Sequence, residues 1–158
     1  MRKLIFALVF FSGTLFLMSC DKNRIYEQNN DIPDNNWKIE DVKEYSFDIK
    51  DTTKAYDIYF NIRNLLSYEY YNLYVSQTLL APDGNKMYTR LHDMNLMDKK
   101  TGEPLGSGTG DIFDHAFLAV KQQHFGKAGT YKIRLTQYMR KNPLPGIMAV
   151  GIKVSQSE

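Results

Sequence analysis

Residues 44–50, Glu44-Tyr45-Ser46-Phe47-Asp48-Ile49-Lys50, alternate polar and apolar side chains with a period of two, and residues 56–63, Tyr56-Asp57-Ile58-Tyr59-Phe60-Asn61-Ile62-Arg63, repeat the pattern. Successive side chains of a strand point to opposite faces, so this alternation describes strands with one face buried and one wet. The polar link Asp51-Thr52-Thr53-Lys54 joins the two runs. It suits a hairpin, and it equally suits a connection that crosses to another sheet.

Downstream the pattern continues. Leu73, Val75, Gln77 and Leu79 form one face of a third strand, with Tyr74, Ser76 and Thr78 on the other. Pro82-Asp83-Gly84-Asn85 is a turn, in which proline presets φ and glycine supplies a positive φ. A fourth strand, residues 86–92, follows it, with a short strand expected around residues 94–97. Residues 116–125, 131–139 and 147–154 complete the set, with a turn at residues 125–130. Residues 138–141 are expected to form one helical turn before Pro143 and Pro145, which exclude a regular strand or helix interior. About seven short strands, no sustained helical period, and many tyrosines and phenylalanines point to an all-β chain. The expected fold is an antiparallel β-sandwich, jelly-roll-like or immunoglobulin-like, over residues 43–158.

Upstream the chain is organised differently. Arg2 and Lys3 precede a fifteen-residue run, residues 4–18, that is apolar apart from Ser12, Gly13 and Thr14. A helix rising 1.5 Å per residue needs about 20 residues to cross a ~30 Å hydrocarbon core, so this run reads as the hydrophobic region of a signal peptide. It ends in Leu17-Met18-Ser19-Cys20, and Cys20 is the chain's only cysteine. An apolar residue, a small residue and a cysteine form the cleavage and acylation site of bacterial lipoproteins. A lone cysteine in an exported chain has no internal disulfide partner. The expectation is a signal peptide over 1–19, lipid on Cys20, and a polar tether and lead-in over 20–42. Within that lead-in Trp37 reads first as a plug at the edge of the core, with ligand stacking as the alternative.

Cleavage before Cys20 removes Arg2 and Lys3 and no acid. The 20 basic residues become 18, against 18 acidic ones. With no basic excess, nucleic acid is not an expected partner.

Candidate chemistry is sparse. Gly106, Gly108 and Gly110 resemble a phosphate loop, but no Lys-Ser/Thr pair or helical pattern follows, so a flexible or bulged surface loop is the better reading. Asp111, Asp114 and His115 sit close in sequence and suit either a metal or acid–base pair, or simple capping of a turn. No nucleophile elbow is present, and His92, His115 and His124 lack zinc-ligand spacing. The expectation is therefore no catalytic residue, no metal site and no cofactor. Tyr68, Tyr70, Tyr71 and Tyr74 form the candidate interaction surface, because exposed tyrosines offer large contact area with few rotors. Filling a sandwich core is the alternative use of such residues.

The chain resembles the GldH family of gliding-motility lipoproteins. The likeness rests on the motif ending at Cys20, Asp21-Lys22-Asn23-Arg24, Tyr26-Glu27, Ile32-Pro33 and Trp37. It continues through residues 47–52, 59–64, 71–74 and 82–84, Gly108-Thr109-Gly110-Asp111-Ile112-Phe113-Asp114, Leu144-Pro145-Gly146-Ile147 and Val150-Gly151. It implies a lipid-anchored envelope component of the gliding and type IX secretion-associated machinery, working by contact with other envelope proteins. Only Cys20 carries over as a functional residue. The expected location is the periplasmic face of the outer membrane, with the inner membrane as the alternative. A surface-displayed carbohydrate-binding module using the residue 68–74 tyrosines is the competing reading.

Overall fold

The computed structural model of the protein describes residues 22–158; the expected signal peptide and Cys20 lie outside them. The strands are β1 (Arg24–Asp31), β2 (Asn36–Trp37), β3 (Lys43–Ile49), β4 (Ala55–Leu65), β5 (Asn72–Leu80) and β6 (Lys86–Asn95). They continue as β7 (Ser107–Thr109), β8 (Ile112–His124), β9 (Gly129–Gln137), β10 (Leu144–Pro145) and β11 (Ile147–Gln156). A five-stranded antiparallel sheet in the order β1-β11-β4-β8-β7 packs on a four-stranded one in the order β3-β9-β5-β6, and β10 pairs with β2. The fold is the all-β antiparallel sandwich that the period-two runs imply.

The alternation explains the core. β4 turns Tyr56, Ile58, Phe60 and Ile62 inward, and β11 adds Val150, Ile152 and Val154. From the facing sheet come Phe47 and Ile49, Leu73, Val75 and Leu79, and Ile133 and Leu135. Phe125, at the turn after β8, closes one end against Tyr56 and Tyr131, with ring centroids 5.7 and 4.5 Å away. Tyr45 ties the sheets together: its ring is buried on β3 and its hydroxyl donates to the Val150 carbonyl of β11 at 2.6 Å. A buried hydroxyl needs such an acceptor, since an unpaired one costs about 1–3 kcal/mol.

One open choice is settled and three expectations change. β3 and β4 do not form a hairpin; β3 pairs with β9 and β4 with β11 and β8, so the 51–54 link crosses between sheets. Residues 138–141 make no helical turn, and the only helical geometry among the described residues is a short 3-10 turn, Pro33–Asn35. Part of the glycine-rich stretch is strand β7, held to β8 because Gly108 lets the two backbones approach; a Cβ there would lie 2.1 Å from the Ile112 carbonyl oxygen.

The largest change concerns the polar lead-in. β1 is a full partner of β11 from Arg24 to Asp31, although most of its side chains are exposed. Backbone hydrogen bonds place this edge strand, and a polar sequence satisfies them as well as an apolar one. Trp37 is fully buried, and its indole N–H donates to the Asp41 carbonyl at 2.9 Å. Residues 24–37 thus belong to the sandwich rather than to a free tether.

Candidate interaction surface

The outer face of the four-stranded sheet follows from its register. Tyr74 lies opposite Asp93, Ser76 opposite Leu91 and Thr136, and Thr78 opposite Thr89 and Arg134. Tyr138 extends the outward row Lys132, Arg134, Thr136 by one more step, and its backbone N–H donates to the Tyr74 carbonyl at 2.8 Å. Tyr138 is 65% exposed and Leu91 54%. Tyr71 is 38% exposed and lies beneath the Lys99 ammonium, 5.4 Å from the ring centroid. Tyr74 is half-buried, and a hydrogen bond to the Asp93 carboxylate raises its phenol pKa. Asp93 in turn accepts from the Asn72 amide at 2.7 Å. At one end of this face, Tyr71, Tyr74, Tyr138 and Leu91 present rings and an aliphatic side chain on a rigid sheet.

Tyr68 does not belong to that surface. It is 3% exposed, its hydroxyl donates to the Asn72 carbonyl at 2.9 Å, and its ring meets Tyr70 edge-on at 5.7 Å. Gly146, at φ +88°, makes room for it, since a Cβ there would approach the Tyr68 Cα to 3.0 Å. Tyr68 is therefore core, and Tyr70 is its half-buried cover. Tyr138 was not among the tyrosines expected at the surface. The signal was present, because the period of β9 continued by one residue points Tyr138 outward.

The Asp111, Asp114 and His115 group does not assemble. Asp114 and His115 are neighbours on β8 and so project to opposite faces. Asp114 pairs with Arg63 through two bonds of 2.8 and 3.1 Å, while the Nε2 of buried His115 lies 2.9 Å from the Asn64 side-chain oxygen Oδ1. No group of three potential metal ligands occurs among the described residues.

Arg63 and Asp114 instead belong to a shallow depression of about 310 Å³ on the outer face of the five-stranded sheet. Ala149 and Ala116 form part of its lining where adjacent rows carry Asp31 and Arg63, then Asn29 and Asn61. The Asn61 amide donates to Glu27 at 3.0 Å and Asn29 at 3.1 Å. Gly151 permits this, since a Cβ would lie 1.9 Å from the Asn29 side-chain oxygen. These groups satisfy one another and tie polar β1 across β11 to β4.

His92 and His115 give the fold a mild acid sensitivity. Burial lowers both pKa values below the ordinary 6.5. A histidine held neutral in the folded state takes up its proton more readily when unfolded. The contribution is therefore complete above the unfolded pKa and is lost as pH falls from about 6.5 toward the lower folded values. Thermal melts should show Tm declining across that window, and His115→Gln should flatten the decline. An unchanged slope in the variant would remove His115 from the account.

The GldH lipoprotein family pattern matches residues 24–154 of the chain. A protein of Christiangramia forsetii named "Gliding motility lipoprotein GldH homolog" is 32% identical over 166 aligned positions, covering 100% of this chain and 99% of the relative. The "Gliding motility lipoprotein GldH" of Flavobacterium johnsoniae is 25% identical, covering 92% of this chain and 93% of its own length. The match takes in both sheets, from the first residue of β1 to Val154 of β11, and on it the chain belongs to the GldH lipoprotein family.

Proposed function

We propose that this protein is a lipid-anchored, non-catalytic component of the gliding and type IX secretion-associated machinery, held in the envelope by Cys20 and acting by contact with another envelope protein. The observation that carries the reading is the half-buried Tyr74 with the exposed Tyr138 and Leu91 on the outer face of the four-stranded sheet, and the exposed Tyr71 just before β5. Tyrosines on a rigid face lose little conformational freedom on binding and recur as energetic anchors of protein interfaces. The family and the names of its relatives supply the process, and the outer membrane's periplasmic face is the location proposed.

A double variant, Tyr74→Ala with Tyr138→Ala, should keep its Tm within a few degrees, because both rings are at least partly exposed. Pull-down from envelope fractions should then lose a partner that the native chain recovers, and gliding should fall. Central interface tyrosines typically cost 2 kcal/mol or more when truncated, about thirty-fold in affinity. If the native chain recovers no envelope partner, the contact reading fails. The same rings also suit saccharide stacking. Binding on a glycan array that the double variant abolishes, without any protein partner, would put a carbohydrate-binding module in its place.

A further inference from the structure

We infer that the end of the sandwich where β1 begins is a membrane-facing surface, resting on the anionic phospholipid headgroups of the leaflet that holds the anchor. The inference rests on the reading of Cys20 as the lipid site, and it adds an orientation that the reading lacks.

The first support is chain length. Asn23 is already tied to the sheet, its carbonyl accepting from the Gln156 N–H at 2.8 Å, and Arg24 is paired with Ser155. Only three peptide steps separate Cys20 from Asn23. At no more than about 3.6 Å each they span at most about 11 Å. A lipid in the bilayer therefore holds this end of the domain at the headgroups. Register shows what else lies there. Ile49 at the end of β3 faces Gly129 at the start of β9, and Ala55 at the start of β4 faces His124 at the end of β8. The β5–β6 turn joins them, since a Cβ at Gly129 would meet Pro82 at 2.9 Å.

The second support is charge. Residues 22–24, 50–54, 81–86, 121–128 and 156–158, which make up this end, hold seven cations against three side-chain carboxylates. The cations are exposed, and Lys22, Lys50, Lys54, Lys86, Lys121 and Lys127 stand on four separate segments. The loops of the opposite end, residues 32–42, 66–71, 96–106, 110–111 and 138–146, hold seven carboxylates against five cations. Each lysine near an anionic bilayer surface favours the bound arrangement by about five-fold, and the attraction decays over a Debye length of about 8 Å at physiological salt. The short tether keeps the basic end near that range. Tyr71, Tyr74 and Tyr138 then stand about 25 Å away, the length of a seven-residue strand step run, facing the aqueous side.

The test uses the mature, lipidated full-length chain in vesicles of phosphatidylcholine, with and without phosphatidylglycerol. Lys54→Cys, Lys127→Cys and Tyr138→Cys each carry a fluorophore, Cys20 being occupied by lipid. A headgroup-located quencher should reach the labels at 54 and 127 but not the one at 138. The contrast should shrink in phosphatidylcholine alone and at high salt. Equal quenching at all three sites on anionic vesicles, with the chain firmly membrane-bound, would overturn the orientation and leave the anchor intact. A contrast indifferent to lipid charge and salt would overturn the headgroup contact. A native mature chain that proves to carry no lipid on Cys20, yet stays with the membrane, would bring down the anchor reading and this inference together.

Discussion

Trp37→Ala should destabilise the fold by about 3–5 kcal/mol, the usual cost of emptying a buried aromatic site, against a total stability of about 5–15 kcal/mol for a domain of this kind. Trp37 is 0% exposed and belongs to the core cluster shared by both sheets. It sits on the two-residue strand β2, opposite Leu144 of β10, which is equally buried. Around it, the Ile32 N–H donates to the Met148 carbonyl and the Gly146 N–H to the Asn35 carbonyl, both at 2.8 Å, while Ile39 and Val42 are exposed and the Asn142 amide reaches Ile39 and Glu40. Removing the indole therefore leaves a hole beside short strands that cannot close without losing their own pairing. At about 2–4 °C per kcal/mol for a chain of this length, Tm should fall by roughly 6–20 °C. Trp37→Phe should recover part of that loss by keeping most of the apolar volume. A Trp37→Ala melt within a degree or two of the native one would mean that residues 32–42 are not packed as described.

Where the pattern of a segment reflects burial, the sequence was readable. β4 and β5 alternate cleanly because one face of each lies against the other sheet, so their inward sets could be named residue by residue. β1 was invisible for the opposite reason. Its placement depends on backbone pairing with β11, which leaves no trace in side-chain polarity, and on Gly151 giving way to Asn29, a contact 122 residues apart in sequence. The link at residues 51–54 allowed two topologies because four polar residues reach either a neighbouring strand or the facing sheet. The surface was half legible. Tyr71 and Tyr74 were found as aromatics in a strand, but Tyr68 looks the same in sequence, and only the close approach of Gly146 and the carbonyl of Asn72 draw it inside. The acidic group around His115 dissolved for a reason the strand period already contained, since adjacent residues cannot share a face.

Cys20→Ala should have the largest effect on function, and it should do so without touching the fold. No helix of the described residues is long and apolar enough to cross a membrane. Retention by lipid on Cys20 would then rest on acyl chains, each buried methylene contributing about 0.8 kcal/mol. A single myristoyl chain binds only reversibly, whereas the two or three chains of a lipoprotein cysteine make release negligible. The alanine variant has none, so when it is exported behind an ordinary cleavable signal peptide in place of residues 1–19, the processed chain should leave the membrane fraction entirely while its melting curve matches that of the native protein. In a strain lacking the native gene it should fail to restore gliding, because a freed domain is diluted away from partners fixed in the envelope and loses the high effective concentration that shared attachment provides. A tyrosine surface of moderate affinity depends on that concentration more than a tight interface would. The two variants are therefore informative together: Tyr74→Ala with Tyr138→Ala removes the contact and keeps the location, and Cys20→Ala removes the location and keeps the contact surface. Release of the alanine variant with gliding fully restored would show that the anchor is dispensable, and the proposed mechanism would fail at its first step.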